Sequence, residues 1–208
     1  MSNNQKDLYK PGQDAGSYFK SYNDYLHKQL QQIDSADIEA LSQAFLTARK
    51  NKNTIFFIGN GGSASTASHF AQDLATVGRK AGVDSFSTLS LTDNNSYITA
   101  LGNDIGYDHI FSEQMRYLFK EGDLLIAISA SGNSPNILVA VEFAKKLGGK
   151  TFALAGFDGG KLAQIADNAI TVLTPKGEYG PVEDGHMIID HVVTCYLLEV
   201  LKQEKQDG

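Results

Sequence analysis

The chain has 208 residues, 42% hydrophobic and 20% charged, the proportions of one globular unit long enough to bury a substantial core. Its formal net charge of −6 argues against a nucleic-acid surface, where a basic face is expected, so a bound anion must be held locally by backbone amides and hydroxyls. Cys195 is the only cysteine, which excludes an intrachain disulfide and a cysteine metal cluster and fits a reducing compartment. The polar segment Met1–Gln13 has no signal-type apolar core, and no apolar run approaches the roughly 18 residues needed to span a bilayer. The expectation is a cytoplasmic protein without membrane or nucleic-acid partners.

In chain order, residues 1–15 are polar, carry Pro11 and Gly12, and read as a flexible arm. The remainder, 16–208, reads as a single domain that includes an N-terminal helical pair and a C-terminal helix. Tyr18, Tyr22, Tyr25, Leu26, Leu30 and Ile33 recur at helical spacing, and a second helix is expected from Ser35, capped by Asp34 or Ser35, with Ile38, Leu41, Phe45 and Ala48 on one face. These helices have nothing local to bury against, so they must pack on the later domain or on another subunit. The period then changes. Thr54–Ile58, Phe86–Leu91, Asp123–Ser129, Lys150–Ala155 and Ala169–Leu173 are short apolar or β-branched runs separated by helix-length segments. Such alternation predicts an α/β fold with a parallel sheet covered on both faces. A long closing helix is expected from Val182 to Lys205.

Two hydroxyl-rich loops follow predicted strands. Gly59-Asn60-Gly61-Gly62-Ser63-Ala64-Ser65 precedes a helix through His69, and Ser129-Ala130-Ser131-Gly132-Asn133-Ser134 precedes a helix starting near Pro135. Glycines admit close approach of a ligand to the backbone, and the helix start supplies N–H groups and a positive dipole end. Serine hydroxyls add donors. Turns and caps alone would account for one such loop, but two on successive crossover units point to an anion site. Neither is a dinucleotide fingerprint or a Walker loop. If the strand order reverses between the two strands, both loops face one crevice.

With His69-Phe70, Gly102-Asn103-Asp104 and Asp158-Gly159-Gly160-Lys161 between and after them, these loops resemble the phosphoheptose isomerase branch of the sugar isomerase (SIS) family. The resemblance runs from about residue 16 to the last helix. It implies a flavodoxin-like three-layer α/β/α sandwich with a five-stranded parallel sheet, assembled as a homotetramer. The implied activity is interconversion of sedoheptulose 7-phosphate and D-glycero-D-manno-heptose 7-phosphate. By position it assigns phosphate contacts to Ser129, Ser131 and Ser134 and sugar contacts to Asn60 and Ser63, within a substrate set that also takes in Gly61, Gly62, Asn94 and Asn95. Ala130 stands where the family commonly has a hydroxyl residue.

Moving a proton between adjacent carbons requires a base near the carbon and a group that stabilises the enediol oxygen. His69 and Asp73, spaced i, i+4, share one helix face, while Glu183, Asp184, His186, Asp190 and His191 crowd the start of the last helix. Family members that use zinc resemble this pattern, and their ligands map to His69, Asp73, Glu183 and His191. The resemblance therefore implies a divalent metal, with zinc one candidate, and catalytic roles for Asp73, Glu183 and His191. Asp73 or Glu183 would be the base and His191 the acid. Asp73 is shorter than the family's usual glutamate, Glu183 replaces a glutamine, and Asn94 stands where an aspartate is common. Asp184 reads as a dipole-compensating acid, His109 as structural and His27 as a surface or interface residue. A non-catalytic SIS module that binds a sugar phosphate or a protein partner, of the initiator-associating type, is the competing reading. A phosphosugar-binding domain of a transcription regulator is a third.

Overall fold

The computed structural model describes residues 4–207. The helices are α1 (Ala15–Leu30), α2 (Ser35–Asn51), α3 (Gly62–Ala81), α4 (Asn95–Asp104), α5 (Ser112–Leu118), α6 (Pro135–Lys146), α7 (Gly160–Ile165) and α8 (Tyr179–Asp207). The strands are β1 (Thr54–Gly59), β2 (Ser87–Ser90), β3 (Leu124–Ser129), β4 (Lys150–Phe157) and β5 (Asn168–Leu173).

All five strands are parallel, in the order β2-β1-β3-β4-β5. Alternate side chains leave opposite faces of the sheet. Ile55, Phe57, Leu124, Ile126, Phe152, Leu154 and Ile170 join a core completed by Leu41 and Phe45 of α2, Phe70 and Leu74 of α3, and Val193 and Leu197 of α8. On the other face Phe56, Ile58, Leu125, Ala127 and Ala153 meet Met115 of α5, Ile137 and Val141 of α6, and Leu162 of α7. The three-layer sandwich thus follows from strands apolar on both sides. No described helix is long and apolar enough to cross a membrane.

The strand order reverses between β1 and β3, which pair directly. That is the topological switch point, and the loops after these strands open at the same edge of the sheet.

Three expectations need adjustment. Residues 1–3 of the expected arm lie outside the described residues, while Gln5–Asp7 form a 3-10 turn, Leu8 is buried and the Gln5 N–H donates to Glu178 Oε1 at 2.7 Å. The burial of Leu8 and the hydrogen bond to Glu178, the residue before α8, hold that stretch to the domain. The β2 strand is shorter than the Phe86–Leu91 run because it is the sheet edge and pairs only with β1. The last helix begins at Tyr179 rather than Val182, since Pro181 is tolerated in a first turn, where its missing N–H costs no helical bond. The N-terminal pair packs on this domain: α2 enters the core, and α1 is tied to α8 by Tyr22 Oη to Asp184 and to the residue before α8 by Tyr25 Oη to Glu178, each 2.5 Å.

Candidate functional site

At the switch point Asn60, Ser63, Ser129, Ser131 and Ser134 line one pocket together with Tyr179 and Glu183. The two loops are tied to each other. Asn60 and Asn136 exchange a reciprocal pair of amide hydrogen bonds, each 2.9 Å, and Tyr107 Oη donates to Asn60 Oδ1 at 3.0 Å. Asn136 is buried, so this pair fixes the start of α6 against the end of β1. Neither Asn136 nor Tyr107 belonged to the expected set; an asparagine one residue beyond Pro135 carries no signal of a partner 76 residues away.

Within the serine loop Ser129 Oγ and Ser134 Oγ lie 3.4 Å apart, and Ser131 Oγ accepts the Asn133 N–H at 3.2 Å, leaving its own proton to donate. Ser134 is the N-cap of α6 but its hydroxyl makes no capping bond, so it remains available to the pocket. The first turn of α7 braces this loop: Leu162 N–H donates to Gly132 O at 2.8 Å and Lys161 N–H to Asn133 Oδ1 at 3.1 Å. A pocket rimmed by hydroxyls and by the N-termini of α3 and α6 is suited to a phosphate ester.

Glu183 reaches the same pocket from the first turns of α8. Its carboxylate lies against Gly62, the first residue of α3, so closely that a Cβ there would collide with it. Tyr179 covers the pocket from the same turn and packs edge-on against Phe157, with ring centroids 5.2 Å apart. Phe157 holds a left-handed backbone (φ 56) at the end of β4, a conformation non-glycine residues adopt at a cost.

A second cluster lies farther along the seam of α3 and α8. On α3 it begins six residues beyond Ser63, about 9 Å at the helical rise. His69 Nε2 is 3.3 Å from His191 Nε2 and 3.3 Å from Asp73 Oδ2. Together with Asp190 these residues present ligand atoms that all lie within 4.8 Å of one another. His69 and His191 are exposed, Asp73 is half-buried and Asp190 is fully buried. Burial pushes the Asp190 carboxyl up to about 8, and the charge of Asp73 adds to the effect. His186, also fully buried on α8, places Nε2 2.9 Å from the Ala155 carbonyl oxygen, and burial draws its imidazole down to about 4.

Against the expected set, the structure brings Asn60, Ser63, Ser129, Ser131, Ser134 and Glu183 together beside Gly61 and Gly62, and brings His69, Asp73 and His191 together. It separates Glu183 from the histidines: the fourth member of that cluster is Asp190. Asn94 and Asn95 also fall elsewhere. Asn94 Oδ1 is spent capping α4, accepting from Tyr97 N–H at 3.0 Å, and both asparagines line a separate depression with Tyr97 and Gln114. From this loop it is Thr92 and Asp93, each through a hydrogen bond with Ser68, that touch α3. His27 and His109 are exposed, away from both clusters.

A family model for the SIS domain matches residues 17–156. Over 163 residues the chain is 39% identical to a phosphoheptose isomerase of Aliarcobacter butzleri, covering 78% of this chain and 84% of that protein. It is 40% identical over 182 residues to a phosphoheptose isomerase of Helicobacter pylori, covering 87% and 92%. The solved phosphoheptose isomerase of Neisseria gonorrhoeae superposes with a TM-score of 0.76 at 32% identity, over 89% of this chain and 96% of that one.

Proposed function

This chain belongs to the SIS-domain family, in its phosphoheptose isomerase branch, and from that premise we propose that it is an aldose–ketose isomerase converting sedoheptulose 7-phosphate to D-glycero-D-manno-heptose 7-phosphate. The observation that carries the reading is the convergence of two braced, hydroxyl-rich loops and one carboxylate on a single pocket at the switch point. Ser129, Ser131 and Ser134 hold the phosphate, with the α6 N-terminus behind them. Asn60 and Ser63 orient the sugar hydroxyls. Isomerisation needs a proton taken from one carbon and returned to its neighbour. Glu183, which faces the pocket, is the base. Asp73 and His191, the other expected catalytic groups, stand together with His69 farther along the seam of α3 and α8, where they serve the cation site.

His69, Asp73 and His191 have the imidazole and carboxylate donors that suit a divalent cation, zinc among them, and their spacing fits one. When bound, such an ion would stabilise negative charge on the enediol oxygens. The exposed apolar residues of α8, Ile188, Val192 and Tyr196, follow one another at i, i+4 and support a homotetramer in which this helix is covered. The cytoplasm, without nucleic-acid or membrane partners, is the compartment consistent with an acidic single-cysteine chain. Residues 16–208 act as one domain in this reading.

The test is incubation with sedoheptulose 7-phosphate in deuterated buffer, with and without added zinc. Formation of the aldose with deuterium at the carbon next to the carbonyl is expected. If neither condition yields product or label, the substrate assignment fails.

A further inference from the structure

The inference about Asp190 rests on the proposed cation site, to which His69, Asp73 and His191 each offer one ligand atom. Asp190 is fully buried, at 0% exposure, yet neither carboxylate oxygen has a hydrogen-bond partner. An unmet acceptor in that position bears its whole desolvation cost, and proteins offset it by pairing the charge or by coordinating a cation. The ligand-bearing groups gathered at Asp190 are His69, Asp73 and His191, and a second carboxylate is the reverse of a partner.

The neighbouring spacings point the same way. Ligands about 2.0–2.1 Å from a tetrahedral zinc stand about 3.3–3.4 Å from each other. His69 Nε2 keeps 3.3 Å to both His191 Nε2 and Asp73 Oδ2, and two imidazole nitrogens facing each other at that distance suit lone pairs sharing one ion. Asp190 and His191 are successive residues on α8, so they approach the seam from its buried and its solvent side. Glu183 is occupied elsewhere, against Gly62 in the serine pocket, and is not one of the gathered ligands.

We propose that Asp190, and not Glu183, completes a divalent-cation site formed by His69, Asp73, Asp190 and His191. The division leaves Glu183 free for proton transfer at the sugar. Two imidazoles and two carboxylates make a harder set than one containing an amide, suited to manganese(II), cobalt(II) or iron(II) as well as zinc.

Cobalt(II) is the probe. Protein stripped with a chelator is titrated with cobalt(II), reading visible absorption, stoichiometry and the rise in melting temperature. In Asp190→Asn, the affinity should fall by at least the roughly 10–100-fold that loss of even an outer-shell partner costs, with an altered spectrum. In Glu183→Ala, which leaves no ligating atom at that position, the affinity and spectrum should stay those of the wild type while turnover falls. The proposal is overturned if Asp190→Asn binds like the wild type, or if Glu183→Ala loosens the ion. Should Asp190→Asn not fold, as judged by circular dichroism, the Glu183→Ala arm decides alone. Wild-type protein that takes up no cobalt overturns the cation reading itself, whereas deuterium exchange into the sugar tests the isomerase reading separately.

Discussion

His186→Gln isolates the cost of burying one imidazole in the last helix. His186 is completely buried, with Nε2 against the Ala155 carbonyl oxygen and no partner for Nδ1. Its pKa falls from 6.5 to about 4 on folding, with desolvation the main cause and the Ala155 bond opposing it. Between those values the unfolded chain binds a proton that the folded chain refuses, so stability is intact above pH 6.5 and is lost as pH falls toward 4. At about 1.36 kcal/mol per pH unit the full loss is about 3 kcal/mol, and about 2 kcal/mol of it has appeared by pH 5. Glutamine keeps an amide donor for Ala155 and binds no proton. Urea unfolding with a chelator present, at pH 7.5 and at pH 5, should therefore show wild type losing about 2 kcal/mol more than the variant. The packing change made by the substitution is the same at both pH values and cancels. Asp190, raised to about 8, titrates in the opposite sense: it costs stability as pH rises from its unfolded value toward 8, and it does so equally in both proteins. Equal pH dependence of wild type and variant would refute the reasoning.

Three further outcomes test the site and its frame. Gly62→Ala puts a methyl where the Glu183 carboxylate lies, at a position that tolerates helix formers; the fold should persist while kcat drops by about 100-fold or more, the contribution expected of a positioned base. An unchanged kcat would remove Glu183 from the chemistry. In Gly132→Ala the new Cβ meets the backbone carbonyl of Gly159 at a φ of +61, so neither side can yield; a loss above about 1 kcal/mol in urea and a raised KM are expected. Asp123→Ala strands the Thr54 and Lys120 N–H groups that its buried carboxylate accepts at 2.8 Å each; it should cost about 2–3 kcal/mol in thermal or urea unfolding and leave KM alone.

The two glycine-serine loops were legible as an anion site because their chemistry is local. Backbone approach, helix N-termini and hydroxyls all lie within seven residues of one another in each loop. Their convergence was not legible. It depended on strand order, and nothing in TIFFI or LLIAIS says that β1 and β3 are neighbours rather than β1 and β4. The same limit explains Asn136, whose amide pair with Asn60 exists only once those strands are adjacent.

The acid set shows the division most clearly. Helical spacing placed His69 with Asp73, and it placed Glu183 and His191 on the same side of one helix to within a quarter turn. Which of them meets which depends on how α8 is rotated against α3. Gly62 admits Glu183 at the top of that seam, and the drift of 3.6-residue periodicity brings Asp190 inward two turns later. By its own alternation of apolar runs, its caps and its two hydroxyl-rich loops, the sequence determined a doubly covered parallel sheet with an anion-binding edge. Tertiary packing alone decided which carboxylate faces the sugar and which lies buried beside the imidazoles, because helix rotation is set by side chains far apart in the chain and not by spacing within it.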